Sequence, residues 1–197
     1  MSVLKNIFVS IFILFFLTNN SWSKSASEFI SSLSIEASNI LSSKLSEDEK
    51  IIRLKEIGEQ SVDIEGVGLY TLGKYRKTLT DSQEKQYKEL FKNYFLKSFS
   101  GRLVVYTDAK IAILSEEIKN EKYTIVYSKL IGTSDRPEVN INWRVYTKDP
   151  EKPLIRDLII EGLSLARTQK EEFNSIIANN NGNIESLFEN LNKFIEN

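Results

Sequence analysis

The apolar residues of this chain change their period twice, and that change leaves few folds open. From Ser25 to Ser98 they recur every three or four positions, after Gly101 they alternate, and from Leu165 onward the helical spacing returns. Helices and strands are therefore segregated along the chain, which favours an α+β layer over repeated βαβ units.

Ala26, Phe29, Ile30, Leu33, Ala37, Ile40 and Leu41 trace one stripe and predict a helix over 25–44. Ser46-Glu47-Asp48-Glu49 reads as a capping box, because a serine hydroxyl can serve the third helical amide while the glutamate reaches back. The helix it starts carries Ile51, Ile52, Leu54 and Ile57 and runs out near Gly58 to Ser61. Thr80-Asp81-Ser82-Gln83 repeats the device ahead of Tyr87, Leu90, Phe91, Tyr94, Phe95 and Phe99, the best helical pattern in the chain. That aromatic face reads first as ordinary core. Part of it could instead wall a cavity, because aromatic rings resist collapse.

Four β-rich runs follow: Ile111 and Ile113; Tyr123, Ile125 and Tyr127; Val139, Ile141, Trp143 and Val145; and Leu154 to Leu163. The breaks between them are short, which predicts an antiparallel meander of four strands with helices on one face. Asn140, Asn142 and Arg144 oppose the third run's apolar residues, so one sheet face is apolar and the other wetter. Leu165, Gln169, Phe173, Ile176 and Ile177 predict a further helix, ended by Asn179-Asn180-Asn181-Gly182. Asn183 is placed to cap a last one bearing Ile184, Leu187, Phe188, Leu191 and Ile195.

At the amino terminus Lys5 precedes an apolar run, Ile7 to Leu17, broken only by Ser10 and too short to span a bilayer. Residues 1–23 are expected to be a cleaved secretory signal, with Ser21-Trp22-Ser23 as the cleavage site and residues 24–197 as one domain; an uncleaved amino-terminal anchor is the alternative, since Lys5 is the one basic side chain ahead of the apolar run. Removing Lys5 from the 26 basic residues leaves 25 against 27 acidic ones, a balance of about −2 that argues against a nucleic-acid partner. The chain has neither Cys nor His. Thiol and imidazole chemistry, disulfides and His or Cys metal sites are all excluded, so no metal and no cofactor is expected.

The remaining candidates for chemistry are weak. Asp157 and Glu161 lie four positions apart on one strand, about 13 Å, whereas paired-carboxylate catalysis needs about 5–9.5 Å. A structural role for Asp157, paired with a cation, fits better. Ser164 lacks both the second glycine of a nucleophile elbow and a histidine to activate it, and reads as a helix cap. Lys74, Arg76 and Lys77 read as a solvated face, with headgroup or partner contact as the alternative. Gly66 and Gly68 lack phosphate-loop spacing and read as flexibility or close packing.

Two segments carry a family resemblance. Val62-Asp63, Leu72-Gly73-Lys74-Tyr75-Arg76-Lys77, Thr80 and Gln83, running into Phe91, form the first. Ile141-Asn142-Trp143-Arg144-Val145, then Ile155 through Leu165, then Gln169 and Phe173, form the second. Together they resemble the MlaC and toluene-tolerance family of periplasmic phospholipid-binding proteins. Leu158 stands where that family usually has Val, Lys170 where it has Arg, and the Asp149 to Pro153 turn is unusually proline-rich. The resemblance implies a four-stranded antiparallel sheet with surrounding helices, of the cystatin and nuclear-transport-factor class. It also implies a soluble, non-enzymatic carrier, working as a monomer, that moves a glycerophospholipid between two partners. These are the MCE-domain protein of an inner-membrane ABC transporter and an outer-membrane lipoprotein–porin complex, in the service of outer-membrane lipid asymmetry.

Physically, such a carrier must hide about 30 acyl methylenes at about 0.8 kcal/mol each, on the order of 24 kcal/mol. The pocket would lie near the top of the range of about 300–1,000 Å³. Its expected walls are Leu90, Phe91, Tyr94 and Phe95 on the helical side, and Ile113, Ile125, Val139, Ile141, Trp143, Val145, Leu158 and Ile160 on the sheet. A carrier of a fatty acid or polycyclic lipid, an interaction module without a cavity, and a hydrolase are the competing readings.

Overall fold

The computed structural model describes residues 25–134 and 136–197; the expected signal peptide lies outside them. The first helix, α1 (Ala26–Ser42), starts at a capping box: Ser25 Oγ accepts from the Glu28 amide and the Glu28 carboxylate accepts from the Ser25 amide. Ser46 and Glu49 start α2 (Glu47–Ser61) in the same way, and Thr80 and Gln83 start α4 (Asp81–Leu103). All three helices lie where their apolar periodicity places them.

Between α2 and α4 the chain forms an eight-residue helix, α3 (Ile64–Thr71), and a 3-10 turn over Gly73–Lys77. Two glycines in eight residues weaken the helical signal in the sequence. Tertiary packing supplies what propensity does not. Asp63 caps α3 by accepting from the Gly66 amide, and Gly68 lets the helix come against Phe91. Close packing is thus the use of Gly68, and the basic trio Lys74, Arg76 and Lys77 stands largely exposed.

The sheet is antiparallel, in the order β1 (Ile111–Asn120), β2 (Tyr123–Leu130), β3 (Val139–Tyr146), β4 (Leu154–Ile160), β5 (Leu163–Ser164). It has five strands rather than the expected four. The run read as one strand doubles back at Glu161 and Gly162, both at positive φ (48° and 83°), a turn hidden in the sequence by the apolar residues around it. β1 is an edge strand carrying the exposed Leu114 and Ile118. Helices α5 (Leu165–Asn179) and α6 (Glu185–Glu196) complete the chain. Ser164 caps α5 through the Arg167 amide, as expected, and Asn183 Oδ1 accepts from the Glu185 amide at the start of α6.

The expectation of helices on one face is corrected. α1 packs on β1 and β2 over the apolar face, while α3 and α5 pack on β4 and cover part of the other. Adjacent residues of β2 are consequently both buried, Ile125 at 7% exposure on one face and Val126 at 0% on the other. Two clusters stand out in the interior, with Leu41, Leu54, Ile57 and Leu96 buried outside both. Leu72, Tyr87, Phe91, Phe173, Ile177, Leu187, Phe188 and Leu191 fill a helical wing, and Ala26, Ile30, Val126, Val145 and Ile155 join α1 to the sheet. In the wing, the Tyr87 hydroxyl lies 2.7 Å from Thr71 Oγ1 and donates to the Gly68 carbonyl.

Where α2 gives way to α3 the chain is stitched to the sheet. Val62 forms a parallel bridge with Ile155, and the Asp63 amide donates to the Ile155 carbonyl. Among the described residues no helix is long and apolar enough to cross a membrane.

Candidate functional site

Strand register decides which of the expected wall residues stand together. Val126, Trp143 and Leu158 form one cross-strand row, Ile113, Ser128, Ile141 and Ile160 the next, and Leu130 with Val139 a third. Ile113, Val139, Ile141, Trp143, Val145, Leu158 and Ile160 therefore share one face. Ile125 pairs with Arg144 and points the other way. The expectation for Ile125 follows the alternation of Tyr123, Ile125 and Tyr127, but a strand covered on both sides carries no information about which parity faces the apolar layer.

The shared face is apolar in its chemistry as well as its composition. Its polar side chain in the middle row, Ser128, accepts from the Trp143 indole N–H at 2.8 Å and donates to the Ile141 carbonyl at 2.8 Å. Its hydrogen-bonding capacity is spent inside the sheet. α1 closes one half of the face: Val145 is fully buried beneath Ala26 and Ile30, with Ile113 and Trp143 packed alongside. The other half is only partly covered. Val139, Ile141, Leu158 and Ile160 are half-buried and belong to neither core cluster.

The four helix residues expected as a wall pack in the helical wing. Phe91 is 2% exposed within the helical wing, with rings of Tyr87, Phe95 and Phe173 at centroid distances of 5.8, 6.3 and 6.2 Å. Leu90, Tyr94 and Phe95 are half-buried against the same cluster, and the Tyr94 hydroxyl donates to Gln169 Oε1. The main partners of α4 are α2, α3 and α6. The four helix residues are thus brought together with one another, and the ordinary-core reading accounts for Phe91. Phe95 stacks on Phe99, which lies against Gly58 of α2 and leads from the wing toward the α1–α2 layer.

The other face of the sheet is polar and built around Asp157, which is 5% exposed. Its carboxylate accepts from Ser164 Oγ at 2.6 Å and from the Ala166 amide at 3.0 Å, tying β4 to the start of α5, and lies 3.8 Å from Arg144. This is the structural role expected for Asp157, with a helix end as its principal partner. Glu161 instead turns to the Asn140 amide. Beside Asp157, Arg156 donates to Asp63 and to the Tyr123 hydroxyl and stacks on Tyr146 at 3.9 Å. Burial of the Arg156 guanidinium opposes its charge, but the Tyr123 hydroxyl and the Asp63 carboxylate outweigh it and raise its pKa above the ordinary arginine value. The grouping of Arg144 and Arg156 is foreshadowed only by the polar parity of the third strand.

Two clefts adjoin the end of the sheet where β2 begins. One, of about 530 Å³, opens between Phe29, Gln60 and the Pro150 to Leu154 turn. The other, of about 470 Å³, lies between α3 and the polar sheet face. Among the described residues no group of acidic side chains is placed to hold a metal ion.

The chain is thus an α+β protein whose apolar sheet face is half covered by α1. The sequence model of the MlaC protein matches residues 32–193, and the chain belongs to the MlaC family. Comparison with curated proteins finds no match. Among solved structures it is similar to the phospholipid-binding protein from Ralstonia solanacearum in complex with a phospholipid. The TM-score is 0.73 at 17% identity, over 88% of this chain and 98% of that one. At that identity the likeness concerns the fold.

Proposed function

We propose that this protein is a periplasmic carrier that holds a glycerophospholipid by its acyl chains and makes or breaks no covalent bond. The observation that carries this reading is the partly covered half of the apolar sheet face, Val139, Ile141, Leu158 and Ile160. Large aliphatic side chains aligned in register and left partly exposed are costly in water, at about 25 cal/mol per Å² of apolar surface, unless something apolar covers them. Family membership and the phospholipid held by the Ralstonia protein support a lipid as that cover. Ile113 and Trp143 extend the wall toward α1. Val145 and Phe91 support the walls from inside the two cores, and Ile125 braces the sheet from behind.

Exchange of hydrocarbon in a bilayer for hydrocarbon in a carrier is nearly neutral, so direction must come from the partners. On this reading those are the inner-membrane MCE-domain complex and the outer-membrane lipoprotein–porin complex, with export directed by residues 1–23. The test is native mass spectrometry of the mature chain purified from a Gram-negative host, with lipid extraction in parallel. A two-chain phospholipid adduct is expected. A chain that remains empty after incubation with phospholipid vesicles refutes the proposal, and a fatty acid or polycyclic adduct transfers it to another cargo.

A further inference from the structure

The cleft between α3 and the polar sheet face holds cationic hydrogen-bonding capacity that the fold does not use. Arg144 rises from the middle of β3, half-exposed, and its nearest carboxylate oxygen is Asp157 Oδ2 at 3.8 Å, beyond hydrogen-bond reach. Both oxygens of Asp157 are already engaged by Ser164 and Ala166. Among the described residues the Arg144 guanidinium makes no hydrogen bond. Lys119, paired with Glu117, and Arg156, held by Asp63 and Tyr123, border the same space. On the α3 side Tyr70 is 44% exposed with the Lys170 ammonium 5.1 Å from its ring centroid.

Cations border this cleft on several sides, while its one lining carboxylate is buried and spent. Its remaining walls are Val67, Ile125, Ala166, Gly66 and the rings of Tyr70 and Tyr123, with Asn120 as a neutral polar member. An unspent guanidinium fork selects carboxylates, with which it forms paired charge-assisted hydrogen bonds. The apolar walls select a flanking aliphatic or aromatic group. A volume of about 470 Å³ open to solvent suits a few residues of an extended chain.

We infer that this cleft is a docking site for an acidic, partly apolar segment of a partner protein, with Arg144 as its principal anchor. The site lies on the opposite face of the sheet from Ile141 and Ile160, so a partner can be held without displacing whatever covers the apolar face. The inference stands whether or not that cover is a phospholipid.

Fluorescence anisotropy with a fluorescein-labelled, amidated Glu-Leu-Glu-Leu-Glu-Leu peptide tests it on the mature chain. A peptide with Lys in place of each Glu serves as control. Saturable binding of the acidic peptide alone is expected, weakened about tenfold or more by Arg144→Gln, as loss of hydrogen bonds to a charged group requires. Lys119→Gln is expected to weaken it less, and neither variant to change the copurifying lipid or the melting temperature. No saturable binding, or equal binding to folded Arg144→Gln, overturns the inference. Full displacement of the peptide by inorganic phosphate overturns it in favour of a small-anion site. Arg144-dependent capture on phosphatidylglycerol vesicles, without peptide binding, overturns it in favour of a membrane surface.

Discussion

Replacing Gly68 by Ala tests the packing that brings α3 against the helical wing. A Cβ at this position would lie 2.7 Å from Phe91 Cδ1 and 3.1 Å from Cγ, closer than carbon atoms approach. Phe91 cannot yield freely, because the rings of Tyr87, Tyr94, Phe95 and Phe173 surround it at 5.8 to 6.3 Å. Overpacking of this kind costs about 1–3 kcal/mol, and the Gly68 carbonyl, which accepts from Tyr87 and Thr71, moves with the clash. Alanine's better helix propensity returns about 1 kcal/mol, leaving a net loss of about 0–2 kcal/mol, toward the upper end because the displaced carbonyl weakens two hydrogen bonds. Gly101, in the last turn of α4, has open space where a Cβ would stand, with no atom within 4 Å, so Gly101→Ala keeps the propensity gain without the clash. Urea denaturation should therefore move the midpoint in opposite directions for the two variants, at unchanged m. Phe91→Leu should shrink the penalty of Gly68→Ala in a double-mutant cycle. A Gly68→Ala protein as stable as its parent would refute the reasoning, because α3 would then not be seated by this contact.

Asp157→Ala removes a buried carboxylate that accepts from Ser164 and Ala166, and should cost about 2–4 kcal/mol in thermal or chemical denaturation. Ile141→Asp, on the half-covered face, should leave the fold nearly intact. It should weaken lipid retention about 100-fold, since shielding of three or four methylenes at about 0.8 kcal/mol each is lost; the lipid-to-protein ratio after gel filtration reads it. Burial pushes the Tyr87 phenol well above its ordinary value of 10.0. Its contribution to stability is therefore whole below about pH 10 and is lost as pH rises beyond, because only the unfolded chain ionises readily there. The alkaline fall in stability should be shallower in Tyr87→Phe, measured by urea midpoints between pH 8 and 11.

The parts of the fold legible in the sequence are those where local chemistry and burial agree. Ser46 with Glu49, and Thr80 with Gln83, cap their helices by hydrogen bonds that need no tertiary partner. Val139, Ile141, Trp143 and Val145 share a face because strand parity permits nothing else. The illegible parts are those that distant residues decide. α3 depends on Phe91, more than twenty positions away, to compensate for its glycines. Alternation alone puts Ile125 on the wrong face because both faces of β2 are covered. The aromatic stripe of α4 shows its periodicity but not its partner, and the rings of Phe173 and Phe188 claim most of it. Arg144 is visible as a polar residue in an apolar strand, yet only the register that sets it beside an already satisfied Asp157 reveals that its donors are idle.

The outer margin of β1 leaves a row of backbone amides and carbonyls open to any extended chain. A second copy paired antiparallel about Glu116, or about Glu117, would set that carboxylate directly against its own copy, and like charges directly opposite repel. Ile118 and Leu114 thus sit on a margin that invites adhesion, while the carboxylates between them oppose the two registers centred on Glu116 and Glu117.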